Sequence, residues 1–275
     1  MAGIRSVFAA EWADIEWCES RSAAHLADLC REAAAAGFAR VIVGGGDGSI
    51  HYAVRALVDS NTALGILPLG TGNDFAAAAG MPMNVLAAAR LLCESGVAKA
   101  DLGAVNGIPF CCVAGIGMDT PALEYINRSR LPRGPMLYQL AAIGTLASYV
   151  PGEMSVLIDG EIIRSRFHFA AFCNTPTYAG GNPVVPRATI FDANLDYCLF
   201  SQSPVLRRLA TFLQMKRGRH IGLPGVRDGV ANSIRVESAT PIPITLDGEL
   251  TSIVTPAAIT LLPGALRLIC PQGNT

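Results

Sequence analysis

Residues 44–49 read GGGDGS and follow directly on the apolar run Val41, Ile42, Val43; a second glycine turn, PLGTGNDFA over Pro68 to Ala76, follows the short apolar run Leu64 to Leu67. A glycine turn carrying one acid between a strand and a helix gathers bare backbone N–H groups and the helix's positive end at one point, which suits polyphosphate. One such turn can equally serve chain reversal, but two from neighbouring parallel strands would meet on one rim. Lys99 and Lys216 are the lysines of the chain and neither adjoins a glycine turn, so the P-loop ending in Gly-Lys-Ser/Thr is absent. Bound phosphate would therefore rest on backbone amides (Gly44, Gly45, Gly46, Gly48, Ser49, Gly70, Thr71, Gly72), on arginines or on metal.

Phosphoryl transfer also needs neutralised charge, an in-line acceptor and a carboxylate near the attacking hydroxyl. Asp47, Asn73, Asp74, Asp101, Asp247 and Glu249 have the right chemistry. Each also has a structural reading. Asp47 could stabilise an Asx-type turn, Asn73 and Asp74 could cap the helix entering at Phe75, and Asp101, two residues after Lys99, could end a strand. Asp247-Gly248 between apolar runs is a standard hairpin turn that would leave Glu249 merely solvated.

These residues need elements to place them. Up to about Asp101 the periodicity alternates helix (23–36), strand (41–43), helix (50–58), strand (64–67) and helices (75–79, 85–94), the pattern of a parallel α/β sheet. Beyond it come strands punctuated by Gly and Pro, at 108–113, 154–158, 162–172, 195–200, 233–236, 242–246 and 258–262, interrupted by helices at 136–149 and 205–216. That run reads as an antiparallel sandwich or barrel. The division expected is an α/β nucleotide-binding domain over 1–101, rejoined by 263–275, and a β-sandwich substrate domain over 102–262, with substrate in the cleft between them.

Composition narrows the partners. Twenty-one basic against 22 acidic residues give a net charge of −1, which provides no global field for nucleic acid. Eight cysteines lack any C-x-x-C pair, as expected of reduced, mostly buried thiols in a cytoplasmic protein. The longest apolar stretch, Met136 to Val150, is broken by Gln139 and falls short of the roughly 20 residues of a membrane span. Two basic clusters, Arg128, Arg130, Arg133 and Lys216, Arg217, Arg219, His220, fit phospholipid headgroups at a membrane periphery or, for the second, a helix C-terminus.

The two turns together, GGGDGSIH and PLGTGNDFA about 20 residues apart, resemble the diacylglycerol kinase and sphingosine kinase superfamily of lipid kinases, in its soluble bacterial branch. Asp101-Leu102-Gly103, Pro186 to Asp196 and Asp247-Gly248-Glu249 are similar to further family motifs, so the resemblance covers roughly residues 20 to 271. It implies a Rossmann-like nucleotide domain with a C-terminal β-sandwich, and Mg-ATP phosphorylating the hydroxyl of diacylglycerol or a related lipid. By the same resemblance the glycine turns with Asp47, Asn73, Asp74 and Asp101 hold the nucleotide. Glu249, ahead of Asp247, acts as general base, and Asp192 and Asp196 form an accessory Mg²⁺ site, where the alternative is a plain strand-entry turn.

Two departures from the family pattern stand out. Tyr52 replaces the family's Glu, at N3 of a helix counted from Ser49 as N-cap. The family's N-terminal strand and Asn-Pro-x-Ser-Gly loop have no counterpart in residues 1–20; Ala13 to Glu19 resembles the second strand instead. The missing strand should leave an interior gap, filled by Ile4 to Phe8 or by another chain, and should weaken activity. A nicotinamide-nucleotide kinase and a non-catalytic nucleotide- or lipid-binding relic are the alternative functions, and a homodimer is left open.

Overall fold

The computed structural model describes residues 2–12, 14–131 and 135–271. The first part runs α1 (Ala2–Glu11), α2 (Ala23–Ala35), β1 (Arg40–Gly45), α3 (Asp47–Leu57), β2 (Ala63–Pro68), α4 (Asp74–Ala78), α5 (Val85–Glu94) and β3 (Val97–Val105). Side chains fix two helix starts: Ser22 accepts from His25 N before α2, and Asn84 accepts from Leu86 N and Ala87 N before α5. β1 and β2 pair in parallel, Val41 opposite Leu64 and Val43 opposite Ile66. All six residues of β2 are buried, the continuous apolar run of a parallel strand covered on both faces.

The rest comprises β4 (Ile108–Phe110), β5 (Val113–Gly117), α6 (Asp119–Arg128), α7 (Pro135–Ser148), β6 (Glu153–Ile158), β7 (Glu161–Cys173), β8 (Thr177–Tyr178), β9 (Asn182–Pro183), β10 (Leu195–Ser201), α8 (Val205–Met215), β11 (Val226–Ala231), β12 (Ser233–Ser238), β13 (Pro243–Leu246), β14 (Glu249–Val254) and β15 (Ala257–Ile269). Two long strands join the sheets. The first half of β7 pairs with β6 and its second half with β5 and β10, which carries the strand from one sandwich sheet to the other. β15 pairs with β12 at its start and with β3 from Ile259 to Ile269, and ends beside β2, Leu268 opposite Leu64. The α/β part and the sandwich therefore share backbone ladders. One core lies under β1, β2, α3 and α5 and reaches Cys173, Tyr178 and Met215. The other fills the sandwich around Phe110, Phe167, Phe172 and Ile234.

The α/β-plus-sandwich class expected from the sequence is the architecture observed, with several local corrections. Helix α3 starts at Asp47 with Gly46 as N-cap, so Ser49 lies inside the first turn and Tyr52 is not a capping-box residue. The strand expected over 108–113 is two strands. It breaks at Cys111 and Cys112 because their amides, with that of Val113, turn onto the Asp247 carboxylate. Asp101 lies in mid-strand in β3 instead of ending a strand.

At the N-terminus, Ile4 and Phe8 belong to helix α1, buried against the core, and residues 14–20 form no strand; Ala13 itself lies outside the described residues, as does Arg133. Among the described residues β1 pairs with β2 alone and forms a sheet edge, where an interior gap was expected. Trp12, stacked on Phe8 at 5.0 Å and lying under the Arg40 guanidinium, helps cover the hydrophobic end of that edge.

Candidate active site

The two glycine turns touch. A Cβ built on Gly46 would lie 2.9 Å from Gly70 Cα, and one on Gly70 would lie 2.4 Å from Gly46 Cα, so only glycine lets the two backbones approach this closely. Leu69 N donates to Gly45 O at 3.0 Å and fixes the crossing. Asp47 clasps the pair: its carboxylate accepts from Asn73 N at 2.7 Å and Phe75 N at 3.4 Å, and fills the space a side chain on Gly72 would need. Burial, then the neighbouring Asp74 charge, push the Asp47 carboxyl above its usual range, against the pull of those amides.

Asn73 occupies the N-cap position of α4, but its side chain makes no capping bond. Its backbone is left-handed (φ 57°), and its side chain turns back to accept from Gly70 N at 2.9 Å and to donate to Gly70 O at 2.8 Å, closing the second turn on itself. Asp74 is likewise spoken for. Its carboxylate accepts from Thr177 Oγ1 at 2.6 Å and from the amides of Gly180 and Gly181, both at 2.9 Å, which ties the turn to the β8–β9 loop.

These turns form the polar end of a cavity of about 630 Å³. Gly46, Asp47, Gly48, Gly70, Thr71 and Gly72 line it, with Asp74 beside them; Gly44 and Gly45 lie back in the β1 ladder, while Ser49 packs under Gly45 and Asn73 sits behind its own turn. The opposite end is apolar, walled by Leu123 and Ile126 of α6, Leu146 of α7, Phe200 of β10, and Phe212 and Met215 of α8. His168 stands in this wall as a neutral group. Its Nδ1 pairs with Ser201 O at 3.0 Å, and burial, followed by the nearby Arg208 charge, holds its pKa down at about 4.

The β13–β14 hairpin closes the cavity from the sandwich side. Asp247 and Gly248 form its two-residue turn, both left-handed (φ 52° and 80°), as the hairpin reading expected. The Asp247 carboxylate is taken up by the protein. His51 Nδ1 donates to it at 2.6 Å, the amides of Cys111, Cys112 and Val113 donate at 2.9, 2.6 and 3.1 Å, and the Cys111 thiol approaches at 3.3 Å. Burial alone would raise the carboxyl; the His51 hydrogen bond and charge, with the amides, outweigh it and hold it below the usual range. A carboxylate so saturated acts as a structural anchor, although Asp247 also lines the cavity. The anchor sets the position of Glu249, an exposed side chain whose Oε1 lies 3.2 Å from where a Cβ on Gly48 would be.

Two further residues of the site escaped the sequence reading. Asp119, first residue of α6, accepts from Tyr178 OH at 2.8 Å and Thr245 Oγ1 at 2.5 Å, both on Oδ2. It lines the cavity, and burial pushes its carboxyl up. His51 is the other, tying α3 to the hairpin. The signal for Asp119 was an acid opening a helix directly after the glycine-bearing strand end Gly115-Ile116-Gly117; His51 stands inside the GGGDGSIH motif, but its role stayed hidden because its partner is 196 residues away.

Asp101, Asp192 and Asp196 lie elsewhere. Asp101 is buried and accepts from Gly264 N and Ala193 N, both at 2.7 Å, which pins the irregularity in β15 to the 192–194 turn and puts it outside the cavity lining. Asp192 is exposed and accepts from Asn194 N in its own turn. Asp196 is held at 2.8 Å by Arg187 Nε, and the same guanidinium pairs with Asp228. These donors do not fit an accessory Mg²⁺, because a protein cation already occupies the carboxylate a metal would need. A structural reading as a strand-entry turn is the one that fits; Ala193 supplies it with φ 55°.

Residues 2–105 match the family described as diacylglycerol kinase catalytic domain, and residues 112–270 match the YegS C-terminal NAD kinase beta sandwich-like domain. The chain belongs to the diacylglycerol kinase family. It is a lipid kinase. A protein named diacylglycerol kinase from Mycobacterium tuberculosis (strain ATCC 25618 / H37Rv) is 34% identical over 251 residues, 89% of this chain and 81% of that protein. Its namesake from Bacillus subtilis (strain 168) is 31% identical over 224 residues, 80% and 74% respectively. A crystal structure described as a putative diacylglycerol kinase from Bacillus anthracis str. Sterne superposes with a TM-score of 0.84 at 24% identity, covering 100% of this chain and 92% of that one, a likeness of fold.

Two outcomes test the anchors of this kinase. Asp247→Asn turns an amide NH₂ toward amide donors and should destabilise the fold by about 3 kcal/mol in urea unfolding, as breaking a buried charged network does; an unchanged midpoint would show that the hairpin is held otherwise. The melting temperature of the wild-type chain without nucleotide should be the same in Mg²⁺ and in EDTA, while Arg187→Gln lowers it; an EDTA-dependent drop in the wild type that Asp196→Asn removes would restore a metal at Asp196.

Proposed function

We propose that this lipid kinase transfers the γ-phosphoryl group of ATP to the hydroxyl of diacylglycerol or a related lipid, working at the membrane periphery. The observation that carries the reading is the continuity of one cavity from two glycine turns in backbone contact to an apolar chamber between helices. Amides at Gly46, Gly48, Gly70, Thr71 and Gly72 and the N-terminus of α3 receive the triphosphate, a role open to glycine because no side chain keeps the phosphates away.

Around that end stand the carboxylates of Asp47, Asp74, Asp119 and Glu249. Acids beside a bound triphosphate call for a cation, and their hard oxygens suit Mg²⁺, which binds through one or two carboxylates together with substrate phosphates. Asp119 fits best as its protein ligand, since both its hydrogen bonds fall on Oδ2 and leave Oδ1 for the cavity. When bound with the nucleotide, the ion neutralises charge on the transferring phosphoryl group.

Glu249 is the group placed to take the proton. As the acceptor oxygen attacks the γ-phosphorus, its bond to phosphorus forms, the bond to the β,γ-bridging oxygen breaks, ADP leaves, and the hydroxyl proton passes to Glu249. The Asp247 anchor keeps the Glu249 carboxylate beside Gly48 and hence beside the phosphate end. The apolar chamber favours a lipid over a dinucleotide acceptor, whose sugar and phosphates would lose hydration there.

Glu249→Gln should lower the turnover of labelled ATP with diacylglycerol by at least about 100-fold, in the range of general-base contributions. Calorimetric Mg-ATP affinity should stay unchanged. Turnover near the wild-type rate would remove Glu249 from the chemistry, and label appearing in NADP when NAD is offered beside mixed lipid micelles would replace the lipid acceptor.

A further inference from the structure

The thiols of Cys111 and Cys112 have no part in the transfer chemistry, yet the elbow between β4 and β5 puts them in an unusual place. In a regular strand successive side chains point to opposite faces, which keeps neighbouring cysteines apart. Here the strand breaks at both residues, because the Asp247 carboxylate takes their amides, and the two Sγ atoms come within 3.9 Å of each other. Cys111 Sγ also lies 3.3 Å from Asp247 Oδ2. The two sulfurs and a carboxylate oxygen of Asp247 all fall within 4.8 Å of one another, and all three residues are buried. A buried cysteine such as Cys30, packed among apolar residues, behaves as a small hydrophobe and needs no further role. A pair of thiols against an ionised carboxylate is a different environment.

The spacing is that of one tetrahedral metal ion. Two thiolates bound to zinc at about 2.3 Å stand about 3.8 Å apart at the tetrahedral angle, and a thiolate and a carboxylate oxygen stand about 3.5 Å apart. The observed 3.9 and 3.3 Å lie within about 0.2 Å of these spacings, the tolerance of a real site. Sulfur donors select the ion: thiolates take zinc, cadmium and other soft cations, whereas Mg²⁺ requires oxygen. Binding exchanges protons for the ion. Two S–H bonds break, two sulfur–metal bonds form, and two protons leave to solvent. Burial, then the neighbouring Cys112 and the Asp247 charge, keep the Cys111 thiol protonated until the cation replaces that proton. Asp247 Oδ2 exchanges its thiol contact for the ion, so His51 and the three amides keep their hydrogen bonds. Cys112 lines the cavity, which supplies the way in and a water for the fourth position.

We propose that Cys111, Cys112 and Asp247 form a binding site for one thiophilic divalent cation, Zn²⁺ or Cd²⁺, which fastens the β13–β14 turn to the elbow between β4 and β5. The site is independent of the acceptor that the kinase phosphorylates and of the Mg²⁺ that accompanies the nucleotide.

Titration of the full chain with Cd²⁺, after reduction with a phosphine and removal of metal, tests it. One Cd²⁺ per chain should bind and give the ultraviolet charge-transfer band of thiolate ligands; Zn²⁺ should compete for the site and Mg²⁺ should not. Zn²⁺ should also raise the melting temperature of the wild type as its concentration increases, because it binds the folded chain. Cys111→Ser combined with Cys112→Ser should bind Cd²⁺ at least about 100-fold more weakly, since even outer partners of a metal site are worth 10- to 100-fold. Cys18→Ser, which removes an exposed thiol, should bind like the wild type. Anomalous density in a Cd²⁺-soaked crystal of the wild type locates the ion without any substitution, and should lie between the two Sγ atoms beside Asp247. Absence of the charge-transfer band, a band that survives the double variant or disappears with Cys18→Ser, or no ion between the two sulfurs in the soaked crystal would overturn the proposal.

Discussion

Everything at the active end depends on two backbones touching without side chains between them. Gly46 and Gly70 lie so close that a Cβ on either would meet the other's Cα, and the Asp47 carboxylate closes the contact by accepting amides of the second turn. That approach aims the amides of both turns into one space. It also commits Asp47 to the scaffold, at the cost of a buried carboxylate whose proton is bound more tightly than usual. Two parallel strands in register, β1 and β2, are what deliver the turns to the same height.

The acids around the cavity divide by how much of their hydrogen-bonding capacity the protein consumes. Asp247 accepts from a histidine and three amides, and Asp74 from a hydroxyl and two amides; both hold loops together. Asp119 keeps one oxygen for the cavity, and Glu249 reaches in from a hairpin whose turn is nailed down by its neighbour. The same short motif thus contains one residue that builds and one that the proposed transfer would use. Arg187 shows the converse economy, since its guanidinium satisfies Asp196 and Asp228 where a divalent ion would otherwise be required.

Much of this was legible in the amino-acid order because it is local. Glycine turns after apolar runs, the two-residue Asp-Gly hairpin and the shift from helical to strand periodicity each depend on a few adjacent residues. What escaped depends on partners far along the chain. His51 meets Asp247 across 196 residues, and the break at Cys111 and Cys112 exists because a distant carboxylate claims their amides. Asp101 carried a family motif, yet its carboxylate serves the β15 irregularity at Gly264; only the fold reveals that the strand continues on both sides of it. The start of α3 was misplaced by three residues because Ser49 is a good capping residue, while the geometry of the turn made Gly46 the cap. An interior gap in the sheet was expected, whereas among the described residues β1 pairs with β2 alone and forms an edge.

The central claim is that the touching turns are a triphosphate cradle. A crystal structure with Mg²⁺ and a non-hydrolysable ATP analogue tests it most directly. Phosphate oxygens within hydrogen-bond distance of the Gly46–Gly48 and Gly70–Gly72 amides, with the γ-phosphate toward Glu249, are the result this account predicts. A triphosphate bound away from both turns, or the turns drawn apart by the ligand, would contradict it.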